Sequence, residues 1–339
     1  MLKYCIFFIL SLFVVSCSKN KRIKTTNAIY YWQQNLNLSA YELDFLSQNK
    51  INTLYIKFFD LDTKGDSNQV IPLAVLSVSK PLPTSITEII PVVFITNRSL
   101  IEKTDAEIDS LANKLVKKVF SISNKNNLNF KQLQIDCDWS QKTKSNYFIL
   151  LKKIKQYSSK TISCTVRLHQ IKYYKNTGIP PVERGMLMYY NMGELKKIDE
   201  KNSIHSYEVG KEYTKKLKEY PLALDVVFPA FSWAVKYRNN NFNGIWNEAT
   251  LELLNDTLLF KKLENNCYKV KTNLENNYLY TGDVLRWEEA EIKNIVKSCN
   301  WINSNLNTDS ISVSVFHLKE EKLKQYDQEE LATIYNSFK

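Results

Sequence analysis

Glycine is scarce, at 7 residues in a chain of 339. Loops that cradle phosphates need glycines clustered where the backbone must approach the ligand. No such cluster follows the first strand-like run and no GxxxxGK[ST] pattern occurs, which argues against a nucleotide-binding doubly wound sheet. Histidine is scarcer still, with 3 residues, and the 6 cysteines form no CxxC and no His–Cys spacing suited to zinc. No metal and no cofactor is expected. Arginine is also sparse: the formal charge of +11 comes from 40 lysines against 6 arginines. That excess, beside abundant Asn and Ile, fits an AT-rich coding bias. The charge is spread along the chain, without a basic helix or an aromatic RNA-binding signature, so nucleic acid is not an expected partner. An anionic membrane surface or a polyanionic glycan is compatible with it.

Long apolar runs are missing too, except at the start. Lys3 precedes an apolar run from Tyr4 to Val15, of signal-peptide length and too short to span a bilayer. It ends in Val14-Val15-Ser16-Cys17, which resembles a bacterial lipobox. The expectation is a signal peptide over residues 1–17, lipidation at Cys17, a polar tether over residues 18–27 and a membrane anchor in the cell envelope, facing the periplasm. Of the remaining cysteines, Cys137 and Cys164 fall on apolar strand faces and read as buried thiols. Cys267 and Cys299 flank a late segment and could pair in an oxidising compartment.

Residues 28–339 are long enough for a sizeable core. Eight strand-like runs occur: Ala28–Gln34, Thr53–Asp60, Ile89–Asn97, the stretch around Leu133–Ser140, Thr161–Gln170, Arg184–Met192, Leu222–Trp233 and Ile311–Leu318. Helical patterns separate most of them. Ser39-x-x-Glu42 and Thr104-x-x-Glu107 are capping boxes, the second opening an amphipathic run through Ile108, Leu111, Leu115 and Val119. Strands alternating with helices imply parallel pairing, and eight is the number that closes a (β/α)₈ barrel. The predicted fold is therefore α/β, a TIM-like barrel. It has a weak fifth crossover, short and marked by Pro180-Pro181, and an insertion over 237–305 before the last strand, with a helix near Glu288–Trp301.

In such a barrel the site lies at the carboxyl ends of the strands. Alternation along Leu133-Gln-Ile-Asp136-Cys-Asp138-Trp139-Ser140 puts Asp136 and Asp138 on one face and Ile135, Cys137 and Trp139 on the other. Two adjacent acids repel and are costly to bury, so one is expected to stay protonated near neutral pH. Asp136 could equally pair with Lys57 or Arg167. The other strand ends offer Gln34, Lys57, Asp60, Arg167, His169, Tyr190, Asn191, Trp233 and His317. Acids and amides can bond sugar hydroxyls, rings stack on sugar faces, and a carboxylic acid can protonate a glycosidic oxygen.

The Asp136-Cys-Asp138-Trp139-Ser140 stretch resembles the fourth-strand signature of family 18 glycoside hydrolases, in which two spaced aspartates precede an aromatic residue and a catalytic glutamate. Met188-Tyr-Tyr190-Asn191 is similar to that family's sixth-strand motif, where a tyrosine and an aspartate contact the sugar. Tyr31-Trp32 suits its first strand. The chain also resembles bacterial lipoprotein barrels with an Asp-x-Asp fourth strand, a likeness that implies no activity. The family resemblance implies a barrel that cleaves or binds a glycan. Ser140 stands where the acid glutamate would be, and Asn191 where the aspartate would be. Two readings remain open. In one, Asp138 is the acid/base of a glycosidase, tuned by Asp136, with Tyr190, Asn191, Trp233, His169, Arg167, Gln34 and Lys57 holding the sugar. In the other, the barrel binds a glycan, or serves as an envelope scaffold, without cleaving.

Overall fold

The computed structural model describes residues 23–65 and 69–338; the expected signal peptide and Cys17 lie outside them. Eight parallel strands form the frame: β1 Lys24–Tyr31, β2 Thr53–Thr63, β3 Glu88–Ile95, β4 Gln132–Asp136, β5 Thr161–Arg167, β6 Arg184–Met188, β7 Leu224–Pro229 and β8 Ser310–Phe316. Each pairs with the next in the chain. β8 then returns to β1, with Val315 opposite Ile29, so the sheet closes on itself. This is the (β/α)₈ barrel that the alternating pattern predicts, and closure leaves it no unpaired inner edge.

Helices α1 Ala40–Gln48, α2 Asp105–Lys125, α3 Lys144–Ser158, α4 Tyr207–Tyr213, α5 Ile292–Asn305 and α6 Gln328–Asn336 surround the strands. Both capping boxes form: Ser39 and Thr104 each accept from the N3 amide while Glu42 and Glu107 reach back to the cap. In α2, Ile108, Leu115 and Val119 are buried on one stripe. The crossover from β5 to β6 consists of two short helices, Leu168–Lys172 and Tyr174–Thr177, as the Pro-rich stretch implies. Several strands end earlier than their apolar runs. β4 stops at Asp136. β5 stops at Arg167, because Gln170 reaches back to the Arg167 amide and starts a helical turn there.

Polar side chains fill much of the barrel's interior. Tyr30 stacks on Tyr55 with centroids 4.7 Å apart, and its hydroxyl donates to Gln134 Oε1 at 2.5 Å. Lower down, Arg184 clamps Asp225 through Nε and Nη2 at 3.0 and 2.7 Å, and the Ser312 amide donates to the same carboxylate at 2.7 Å. These groups bond one another, as buried and half-buried polar atoms tend to.

The insertion begins at Ser232, earlier than position 237. The run Leu222–Trp233 reads as one strand, but the ladder of β7 closes at Pro229, which has no N–H to give. Ser232–Arg238 instead opens a five-stranded antiparallel sheet, in the order 241–246, 232–238, 284–289, 267–270, 260–262. Trp246, Phe260, Tyr268, Leu285 and Trp287 give this sheet a core of its own. It ends at Glu289, and the following helix is α5, which belongs to the barrel's outer layer. Glu288 thus lies on a strand rather than at a helix start. Cys267 and Cys299 are both free and buried, one in each layer, so the pairing considered for them does not occur.

Glu288 is a buried hub, with Arg286 as its counter-charge. Arg286 Nε donates to Glu288 Oε1 at 2.7 Å, Trp233 Nε1 donates to Oε2 at 2.7 Å, and the Ser203 hydroxyl donates to Oε2 as well. Neither charged side chain is more than 1% exposed. Removing one partner of a buried pair strands the other charge, which costs roughly 3–5 kcal/mol. Arg286→Met is therefore expected to lower stability by about 3 kcal/mol, read as a shift in the urea midpoint. Adding Glu288→Gln, which keeps an acceptor for Trp233, recovers much of the loss; no recovery would show that packing, not charge, is what Arg286 supplies.

Candidate functional site

The carboxyl ends of the strands open into a cavity of about 550 Å³. Trp32 stands just beyond β1, and Lys57 and Asp60 lie on β2. Asp136 ends β4 and Arg167 ends β5. Tyr190 and Asn191 follow β6, Phe231 and Trp233 follow β7, and Phe316 and His317 close from β8. Barrel closure alone brings these positions together, since they are far apart in sequence.

Asp136 is the deeper of the two aspartates, 6% exposed. Its Oδ1 accepts from the Thr165 hydroxyl at 2.7 Å, and it forms no pair with Lys57 or Arg167. Burial first, and the neighbouring Asp138 charge second, push its carboxyl up to about 6. Asp138 sits beyond the strand end with its side chain 47% exposed. Arg167 binds both of its oxygens, Nε to Oδ1 and Nη2 to Oδ2, the latter at 2.6 Å. The two aspartates therefore differ in kind. Sequence reasoning favoured Asp138 as the acid/base and left open which aspartate keeps the proton; burial raises Asp136, while a guanidinium occupies both Asp138 oxygens.

Lys57 is 9% exposed, bonds Asp60 Oδ2 at 3.1 Å and lies 5.5 Å from the centroid of the Trp32 ring. Trp32 and Phe316 are 5.5 Å apart, Phe316 and Tyr190 5.5 Å, and Phe231 and Trp233 5.2 Å, so the rings form a nearly continuous wall. Among the described residues the Tyr190 hydroxyl is buried without a hydrogen-bond partner, and Asn191 takes a positive φ of 56° just beyond it. Trp233 comes not from β7 but from the first strand of the insertion, oriented by its bond to Glu288.

Other expected residues fall elsewhere. Gln34 is exposed and outside the cavity, where its neighbour Gln33 takes the position. His169 is turned outward by the helical turn that follows β5, into a second groove lined by Asp138, Arg167, Tyr190, Asn191 and Tyr213. Trp139 points into the helix layer, stacked on Tyr147 with centroids 5.2 Å apart. Ser140, at the position of the glutamate in the resembling signature, is exposed, and its amide donates to Thr143 Oγ1 at 2.9 Å. Sequence reasoning missed Lys319, Lys322 and Asn247, which also line the cavity. They follow β8 or sit in the insertion, where one lysine among 40 carries no signal. Among the described residues, no three of His, Cys, Asp and Glu converge as metal ligands.

No family model matches the sequence and no curated protein does. Solved structures match over nearly the whole chain. The C-terminal domain of a putative chitinase from Desulfitobacterium hafniense superposes with a TM-score of 0.56 at 11% identity, covering 94% of this chain and 100% of that one. The spore cortex-lytic enzyme SleL of Bacillus cereus gives 0.53 at 15%, covering 92% and 75%. An immunomodulatory active chitinase from Trichuris suis gives 0.50 at 11%, covering 93% and 99%. The chain shares the barrel fold of these chitinase-like proteins.

The Asp136 shift has a stability consequence. Its folded pKa of about 6 lies above the unfolded value near 3.8, so the folded chain holds this proton more tightly. Its favourable contribution is complete below about pH 4 and is lost as pH rises through about 6. At pH 8 the ionised carboxyl is a net cost of at most about 3 kcal/mol. Asp136→Asn is expected to raise the melting temperature at pH 8 and to change it little at pH 4. An equal effect at both values would show that the carboxyl is not desolvated.

Proposed function

We propose that the chain is a glycan-binding barrel anchored to a bacterial envelope through lipid on Cys17, with its binding cleft at the carboxyl-end mouth. One observation carries the reading. A wall of rings formed by Trp32, Tyr190, Phe231, Trp233 and Phe316 stands over a floor of Asp136, Lys57 and Asp60, with Asn191 at the rim. Rings pack against the C–H faces of a sugar, while carboxylates, amides and an ammonium bond its hydroxyls. The solved structures that superpose on the chain are chitinases and a cortex-lytic enzyme, which supports a glycan as the ligand class.

Binding without cleavage is the better reading of the acids. Ser140 carries no proton-donating carboxyl, and Asp138 would have to break two bonds to Arg167 to offer an oxygen. A second reading, hydrolysis, is favoured by Asp136, which lines the cleft with a pKa suited to giving and taking a proton near neutrality. In that case Asp136, and not Asp138, is the acid/base group, and Arg167 with Asp138 frames the adjoining groove.

The test incubates the chain from Ser18 onward with chitin oligomers, peptidoglycan fragments and mixed polysaccharides, reading retention and new reducing ends by mass spectrometry. The expected outcome is retention on a glycan with no product. Trp32→Ala should weaken that retention about tenfold, the worth of one good ring contact. New reducing ends from the parent that vanish in Asp136→Asn would replace binding with hydrolysis. If they vanish only in Asp138→Asn, the acid role returns to Asp138. The anchor is checked separately by metabolic labelling with a palmitate analogue. Label is expected on the parent and none on Cys17→Ser, and label on both would remove the lipid from that cysteine.

A further inference from the structure

The cleft's cations are unevenly matched. Lys57 faces Asp60, and Arg167 faces Asp138. The two lysines that follow β8 have no such partner: neither Lys319 nor Lys322 forms an ion pair among the described residues, and both line the cavity. Lys322 is 7% exposed. Its ammonium donates to the backbone oxygen of Ser232 at 2.8 Å and to that of Asn247, which uses two of three donors. Both acceptors are neutral. Glu248 and Glu321 are near enough to favour the charge without bonding it. Burial and Lys319 together push Lys322 down to about 8. Beside them His317 is held neutral, at about 3, by burial and by these same two lysines, and its Nδ1 is buried without a partner.

A buried cation without a counter-charge is unfavourable and is normally paired. Clamping the insertion against the barrel explains the two carbonyl bonds of Lys322. It does not explain why a second lysine, which forms no ion pair among the described residues, stands beside it on the cavity wall. We infer that this corner of the cleft, bounded by Lys319, Lys322, His317 and Asn247, is a subsite for an anionic substituent on the sugar, so that the ligand is an acidic glycan. The inference rests on the glycan reading above and narrows it. An anion entering the corner would meet the ammonium groups of Lys319 and Lys322 and the amide of Asn247, with the Trp233 ring beside them. A carboxylate and a sulfate ester share the required chemistry, and charge-assisted bonds to either are stronger than neutral ones.

The experiment is calorimetric titration of the full chain with three tetrasaccharides. One is neutral chitotetraose. The second alternates N-acetylglucosamine with N-acetylmuramic acid, adding only a lactyl carboxylate. The third is sulfated chitotetraose. The acidic sugars are expected to bind about tenfold more tightly than the neutral one, equivalent to about 1.4 kcal/mol. The gap should shrink in about 0.5 M salt, where charges are screened within a few ångströms. Whichever acid binds better identifies the substituent. Lys319→Gln should remove most of the preference, and Lys319→Glu should reverse it. Lys322→Gln should act alike if it folds; the two Lys319 variants decide the matter if it does not. Lys261→Gln, on the outer strand of the insertion, should change nothing. Equal binding of neutral and acidic sugars, or a preference that survives both Lys319 variants, overturns the subsite alone. Binding of none of the three by the folded chain overturns the glycan reading and the subsite together.

Discussion

Barrel closure is the constraint on which everything else depends. The pairing of β1 with β8 is a contact across the length of the chain, and without it the eight strand ends would not share a mouth. Closure also decides which residues can be polar. Once the sheet has no open edge, its inward row is sealed from water, and every donor and acceptor there needs a partner from another strand. Tyr30 with Gln134 is such a pair and crosses the barrel from β1 to β4, while Arg184 with Asp225 joins the neighbouring strands β6 and β7. Together they help to set the register that the hydrophobic pattern leaves loose.

At the mouth the same seal works against one group. Asp136 sits where closure excludes water, opposite a hydroxyl rather than a cation. The nearest guanidinium is engaged with Asp138 instead. Had Arg167 paired with Asp136, the buried acid would be neutralised and stable, and the mouth would lose its one desolvated carboxyl. The arrangement sacrifices stability near neutral pH at a place where a ligand can reach. That combination marks a functional position more often than a structural one.

The strand order, the two capping boxes, the weak fifth crossover and the inward row of β4 were all legible in the sequence, because each follows from local periodicity or a short-range bond. Element ends were not. Leu222–Trp233 is mostly apolar, yet β7 ends at Pro229 and Trp233 joins another sheet. Thr161–Gln170 alternates cleanly, yet one side-chain bond from Gln170 turns the chain and carries His169 out of the cleft. In both cases a local feature of the backbone, a missing N–H at Pro229 and a capped one at Arg167, overrides a pattern that extends past it. The division of labour between Asp136 and Asp138 was illegible for a different reason. It depends on which of two equivalent acids Arg167 reaches, and that is a matter of depth, not of residue type.

The insertion shows how a site can gain a wall that periodicity does not announce. Its sheet has a separate core, and buried side-chain bonds fix its first strand at the mouth. Glu288 holds the Trp233 ring in the cleft, and Lys322 grips the Ser232 and Asn247 backbones. The first bond brings an aromatic face and the second a cation, each from a residue whose sequence context is unremarkable. Because Ser232 and Trp233 are consecutive on one strand, movement of the insertion would shift the ring and the ammonium together. The cleft's apolar wall and its charged corner are thus positioned by the same strand, and a ligand that engages both reads one rigid element instead of two independent ones.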